Sequence, residues 1–199
     1  MSRTVNVALR EKKRQQIIDA ASSLFSTRGF FATTVSEIAK EAGMSHAAVF
    51  TYFSSKEELL DAIIQGPLKE ESSRLRKLLS QEGAPGRILE LIVKEQVESH
   101  IRKGSYLRIV QIVLSQPAVF DKQSKAVFAY SSEIVTALTR LIEQGQAAGE
   151  LLPGDPEATG WSYFSYVSGL GMINHDADDN LVREFVDRGC RIIGLLRRG

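Results

Sequence analysis

Apolar residues return at helical spacing along nearly the whole chain, and the alternation of period two that marks a strand is nowhere sustained. Residues 10–28 carry Ile17, Ile18, Ala21, Leu24 and Phe25 on one stripe, which predicts a first helix stopped by Gly29. Phe30 and Phe31 are expected to plug the following turn into the core. A second helix should open at Thr34, whose hydroxyl can cap free backbone N–H groups, with Glu37 three residues on completing a capping box. Val35, Ile38, Ala39 and Ala42 form its packing face and Gly43 ends it, with Met44 as a buried turn residue. Ser45 caps a short third helix reaching about Tyr52, with Val49, Phe50 and Phe53 inward and His46, Ala47, Ala48, Thr51 and Tyr52 outward.

The same period continues beyond. Residues 55–81 form a long apolar-striped segment interrupted at Gly66-Pro67, where a proline should kink or divide a helix. Helices follow over 87–102, 106–114, 122–148, 156–173 and 179–197, with breaks at 83–86, 103–105, Pro117 and Leu152-Pro153-Gly154-Asp155-Pro156. Asp155 should cap the next helix, with Pro156 at its first position. The reading is all-α, with about nine helices. A three-helix head (1–54) precedes a larger helical body (55–199).

Composition changes this picture little. The chain has 199 residues, 43% hydrophobic and 25% charged, as an ordinary globular protein does. A single cysteine, Cys190, excludes an internal disulfide framework and suits a reducing cytoplasm. No run approaches the roughly 18 apolar residues of a membrane span. The overall charge of +1 hides a local asymmetry, because residues 1–14 hold Arg3, Arg10, Lys12, Lys13 and Arg14 against Glu11 alone. That basic arm lies directly before the three short helices, where attraction to phosphate would help a DNA reader.

The outward face of the third helix has the chemistry of such a reader. His46 can hydrogen-bond a base edge, and Ala47 and Ala48 are short enough to approach a thymine methyl. Ser45 opens that helix, while Thr51, Tyr52 and Lys56 offer donors to phosphate further along, and Thr34 stands at a helix N-terminus. Gly29-Phe30, Thr33-Thr34-Val35, Ile38-Ala39, Ala42-Gly43, Ser45, Tyr52-Phe53 and Lys56-Glu57-Glu58-Leu59-Leu60 together resemble the signature of the tetracycline-repressor (TetR) family of bacterial transcriptional regulators. The resemblance covers about residues 10–62. Two positions depart from it: Ala47 replaces a usual glycine, and Phe50 replaces a tyrosine that contacts phosphate, a role assigned here to Tyr52.

The resemblance implies a homodimer on a pseudo-palindromic DNA duplex, and a small-molecule effector held in the body. Repression, by occlusion of a promoter, is the simpler mode. The helix over 156–173 carries apolar residues around most of its circumference, which asks for cover on every side. Tyr163, Val167, Leu170, Phe185, Val186, Gly189 and Ile193 are therefore the candidate dimer contacts. His100, Tyr106, Phe120, Phe128, Tyr130, Trp161 and Phe164 are the ring-bearing candidates for an effector pocket. The His175-Asp176-Ala177-Asp178-Asp179 stretch reads as a helix-capping loop, not a metal site. No cofactor is expected. An all-helical enzyme finds no phosphate loop, zinc spacing or partnered nucleophile, and a non-specific DNA-binding or interaction module is the other alternative.

Overall fold

The computed structural model describes residues 2–173 and 178–196. Among them are nine α-helices: α1 Ser2–Arg28, α2 Val35–Glu41, α3 His46–Phe50, α4 Lys56–Leu79, α5 Pro85–Arg102, α6 Gly104–Ser115, α7 Asp121–Ala147, α8 Pro156–Ile173 and α9 Asp179–Ile192. An isolated bridge pairs Leu151 with Leu195 and ties the turn after α7 to the segment after α9. His175, Asp176 and Ala177 lie outside the described residues. Asp178 caps α9, its carboxylate accepting from the Asn180 and Leu181 amides.

The chain divides into two compact units, one of residues 1–67 with 108–124 and one of 68–107 with 125–199. The expected 54/55 boundary lies inside the first. In that unit Ile17, Ala21, Phe25, Phe30, Ile38, Ala39, Val49 and Phe53 are buried, as their spacing predicts. Phe120 joins them, with ring centroids 5.5 Å from Phe30 and 5.8 Å from Phe31. Phe31 itself is 65% exposed, against the expectation that both phenylalanines are core. Its neighbour Phe30 fills the available space, and Phe31 covers the outer side of that ring.

Two helix boundaries differ informatively. α1 begins near residue 2 and not at 10, because Ser2–Leu9 contains no glycine or proline and the helix simply continues. Val7 and Leu9 there are exposed, so no buried stripe announces the extension. α4 runs unbroken through Pro67. The proline removes one backbone donor, but Ile63, Ile64 and Leu68 around it are buried, and that burial outweighs the loss. The chain first passes from one unit to the other just after this proline.

The second unit packs α5 against α8 and α9. Leu89, Ile92, Val93, Val97, Leu138, Ile142, Tyr163 and Val167 form its centre, each 0–1% exposed. Gly189 lets α9 approach closely, since a Cβ there would stand 2.8 Å from Val93 Cγ1 and 3.3 Å from Tyr163 Cε2. α8 is not covered all round. Tyr163, Val167 and Leu170 point into the unit, while Trp161, Ser162 and Ser165 lie on an exposed strip.

Candidate nucleic-acid interface

Two short helices can hold a fixed angle only if their ends are pinned. α2 is pinned by the full capping box: Thr34 Oγ1 accepts from the Glu37 amide at 3.2 Å, and Glu37 Oε2 accepts from the Thr34 amide and hydroxyl, each at 2.8 Å. Those donations from the Thr34 backbone and side chain hold the Glu37 carboxyl below its ordinary range. Arg28 at the end of α1 reaches the same carboxylate at 3.0 Å. Gly43, at φ +65°, makes the turn, and the Met44 amide closes back on the Ala39 carbonyl at 2.9 Å. Met44 is half-buried. Ser45 then caps α3, accepting from the Ala48 amide at 3.2 Å.

The outer face of α3 differs from the expected one in one residue. Val49 and Phe53 are buried, but Phe50 is 44% exposed and belongs with His46 and Ala47 on the open side. Its ring meets the imidazole edge-on, with centroids 4.9 Å apart. This i, i+4 pair holds the His46 ring at a fixed inclination at the start of the helix, where base edges are read. Ala47 is exposed and Ala48 half-buried, so neither crowds the approach.

Several candidate phosphate donors are already engaged. Lys56 Nζ donates to the carbonyls of Phe30 at 2.8 Å and Thr33 at 2.9 Å, and stands 4.4 Å from the centre of the Phe30 ring. It is an internal clamp, not a free cation facing DNA. The Thr51 hydroxyl donates to the Ala48 carbonyl at 2.7 Å, and the Thr34 hydroxyl is held in the capping box. Tyr52 is half-buried with the Arg10 guanidinium 5.9 Å from its ring, and Arg14 lies 5.1 Å from the ring of Phe53. The basic arm is therefore helical and seated beside the third helix. Lys12 and Lys13 remain exposed on it.

Residues 17–63, which span these helices, match the family model of bacterial regulatory proteins of the tetR family. The chain belongs to the TetR family. It is 28% identical over 93% of both chains to the HTH-type transcriptional regulator TtgR of Pseudomonas putida. It is 29% identical to the HTH-type transcriptional repressor KstR2 of Rhodococcus jostii, over 65% of this chain and 61% of that one. The structure of AibR in complex with isovaleryl coenzyme A and operator DNA superposes with a TM-score of 0.70, covering 88% of this chain and 97% of that one at 21% identity. As a TetR-family protein the chain is a DNA-binding transcriptional regulator.

The remainder of this TetR-family chain corrects the expected contact residues. Tyr163, Val167, Leu170, Phe185 and Ile193 are buried among their own chain's side chains, as is Gly189, and cannot also form a surface between copies. Of that set Val186 alone is half-buried. The candidate pocket residues do not converge as a group. Phe120 belongs to the Phe30 cluster of the first unit, Phe128 is exposed, and Trp161 is 44% exposed with its ring edge-on to Phe164 at 6.0 Å. Tyr130 donates to Glu71 Oε2 at 3.5 Å, and the Glu71 charge acts on His100 and Tyr106, though nothing in the sequence singles out that acid.

Glu71 Oε1 accepts from Ser99 and Lys103, each at 2.7 Å. Burial opposes its charge, but these two donors more than offset that, and the carboxyl stays below its ordinary range. Burial and the Glu71 charge push the Tyr106 and Tyr130 phenols well up, so both are neutral. A cavity of about 670 Å³ lies elsewhere in this unit, lined by Arg87, Glu90, Glu150, Asp187, Cys190 and Arg191 among others, and by none of the expected pocket residues.

Proposed function

We propose that this protein is a homodimeric, sequence-specific repressor that occupies a pseudo-palindromic operator and leaves it when a small molecule binds the helical body. The observation that carries the DNA reading is the open face of α3, where His46 and Phe50 meet edge-on beside Ala47 on a helix pinned at both its turn and its cap. His46 reads a base edge, the alanines allow close approach, and Lys12 and Lys13 of α1 draw in the phosphate backbone. A five-residue helix reads few base pairs, so two copies related by a two-fold axis supply the specificity.

The dimer contact is assigned to what α8 and α9 leave uncovered: Trp161, Phe164 and Ser168 at helical spacing on one, Val182 and Val186 on the other. The effector role is supported by AibR, which is described bound to both an acyl coenzyme A and operator DNA. Binding of the parent and His46→Ala to a selected operator and to a scrambled duplex tests the reading. The variant should lose preference for the operator while keeping its affinity for the scrambled duplex and its salt dependence. A parent that binds both duplexes equally would overturn it.

A further inference from the structure

The face that α3 leaves open is poor in hydrogen-bonding groups. Ser45, His46 and Thr51 are the polar side chains between residues 45 and 51. The Ser45 oxygen accepts from the Ala48 amide as the cap, and the Thr51 hydroxyl spends its one proton on the Ala48 carbonyl at 2.7 Å. Three residues beyond, Ser54 gives its hydroxyl proton to the Glu58 carboxylate at 2.6 Å. The imidazole of His46 is left as the main group with which this face can hydrogen-bond a base edge.

The rest of the open surface is apolar. Ala47 and Phe50 are both exposed and stand three residues apart, on one face of the helix. Phe50 is 44% exposed although Val49 and Phe53 are buried. Its ring carries no donor for a phosphate oxygen. Nor is it a lone surface ring, because it meets His46 edge-on with centroids 4.9 Å apart.

The base edges of the major groove present one apolar group, the 5-methyl of thymine; the other bases show donors and acceptors there. A phenyl ring with an alanine methyl beside it matches that group and little else in the groove. The separation of the two rings also sets where the readings fall. It exceeds one base step of about 3.4 Å and is short of two, so the base that meets Phe50 adjoins the base that meets His46.

We infer that α3 recognises thymine chiefly by its methyl group: Phe50, with Ala47 beside it, packs on the 5-methyl of a thymine next to the base that His46 hydrogen-bonds. This deepens the DNA reading above and rests on it.

A selected operator synthesised with deoxyuridine in place of thymidine, one position at a time, tests the inference. Uracil keeps every hydrogen-bonding group of thymine and lacks only the methyl. At the thymine that Phe50 meets, binding of the full-length protein should weaken about fourfold with one half-site changed and about fifteenfold with both. 5-Bromouracil, whose bromine fills the place of the methyl, should restore it. Phe50→Ala should abolish the penalty at that position, and Phe50→Leu, still apolar, should retain part of it. Neither should alter the slope of log affinity against log salt, since no phosphate contact is lost. Three results would each overturn the proposal while an operator still preferred to a scrambled duplex keeps the DNA reading standing. They are a half-site without thymine, deoxyuridine tolerated at every position, and a penalty that survives Phe50→Ala. Equal binding of operator and scrambled duplex by the parent would instead sink the DNA reading, and this inference with it.

Discussion

Replacing Lys56 separates two accounts of the head that the family signature alone cannot distinguish. If Lys56 were a phosphate contact, Lys56→Met would remove one released counterion, and the slope of log affinity against log salt would become shallower by about 0.9. The structure points the other way. The ammonium donates to the Phe30 and Thr33 carbonyls and faces the Phe30 ring, so it fastens the start of α4 to the turn between α1 and α2. Hydrogen bonds to a charged group contribute about 1.5–3 kcal/mol each, and a cation over a ring about 0.5–1. Lys56 is half-buried, so water recovers part of the loss, and the Thr33 amide still reaches the Phe30 carbonyl at 3.4 Å. A net cost of about 2–4 kcal/mol follows. Amide exchange in α2 and α3 should then accelerate on the order of 30- to 900-fold. Methionine keeps the aliphatic stem, so this reports the ammonium and not the packing. Unchanged exchange with a shallower salt slope would refute the clamp.

Thr34→Ala should destabilise the head by about 1 kcal/mol, while Thr34→Ser retains the hydroxyl and most of the stability, as urea denaturation would register. Gly189→Ala should cost about 1–3 kcal/mol by forcing Val93 and Tyr163 apart, and equally at all protein concentrations. A cost that appears only as weaker self-association would return Gly189 to a dimer contact. His100 is held neutral chiefly by burial, with its pKa below the ordinary 6.5. The unfolded chain therefore binds that proton more readily. The His100 contribution is complete above pH 6.5 and is lost as pH falls from there through the lowered folded value. His100→Gln should flatten the fall in unfolding free energy over that window, and an unaltered slope would remove His100 as its source.

What was legible in the sequence was local. The Thr34–Glu37 box, the Ser45, Asp155 and Asp178 caps and the Gly29 and Gly43 turns all depend on residues within a few positions of one another, and each stands where its spacing put it. The proline of α4 misled because propensity speaks for one residue while burial on either side speaks for several. Phe50 was misplaced because a five-residue helix is too short for periodicity to set its phase. Val49 and Phe53 already fill the inward positions, and the next residue along is turned about 100° away. The Lys56 clamp spans 23 and 26 residues and the Phe30–Phe120 contact some 90, and no local pattern encodes such pairs.

The body shows a different failure. An apolar stripe says that a face is covered, not by which chain, so Tyr163, Val167 and Phe185 read as a dimer surface when their own helices cover them. Glu71 was invisible for the opposite reason. Its partners come from α5 and α7, far along the chain, and a carboxylate on a helix is ordinarily a solvated one.

Selection of bound fragments from random duplex DNA by the purified protein, at near-physiological salt, is the decisive measurement of whether α3 reads sequence. A dimeric reader recovers a pseudo-palindrome whose half-sites are spaced for two recognition helices, and the pseudo-palindrome is lost from the selection when His46 is replaced by alanine. Recovered fragments that share no sequence and differ only in salt-dependent affinity would contradict it.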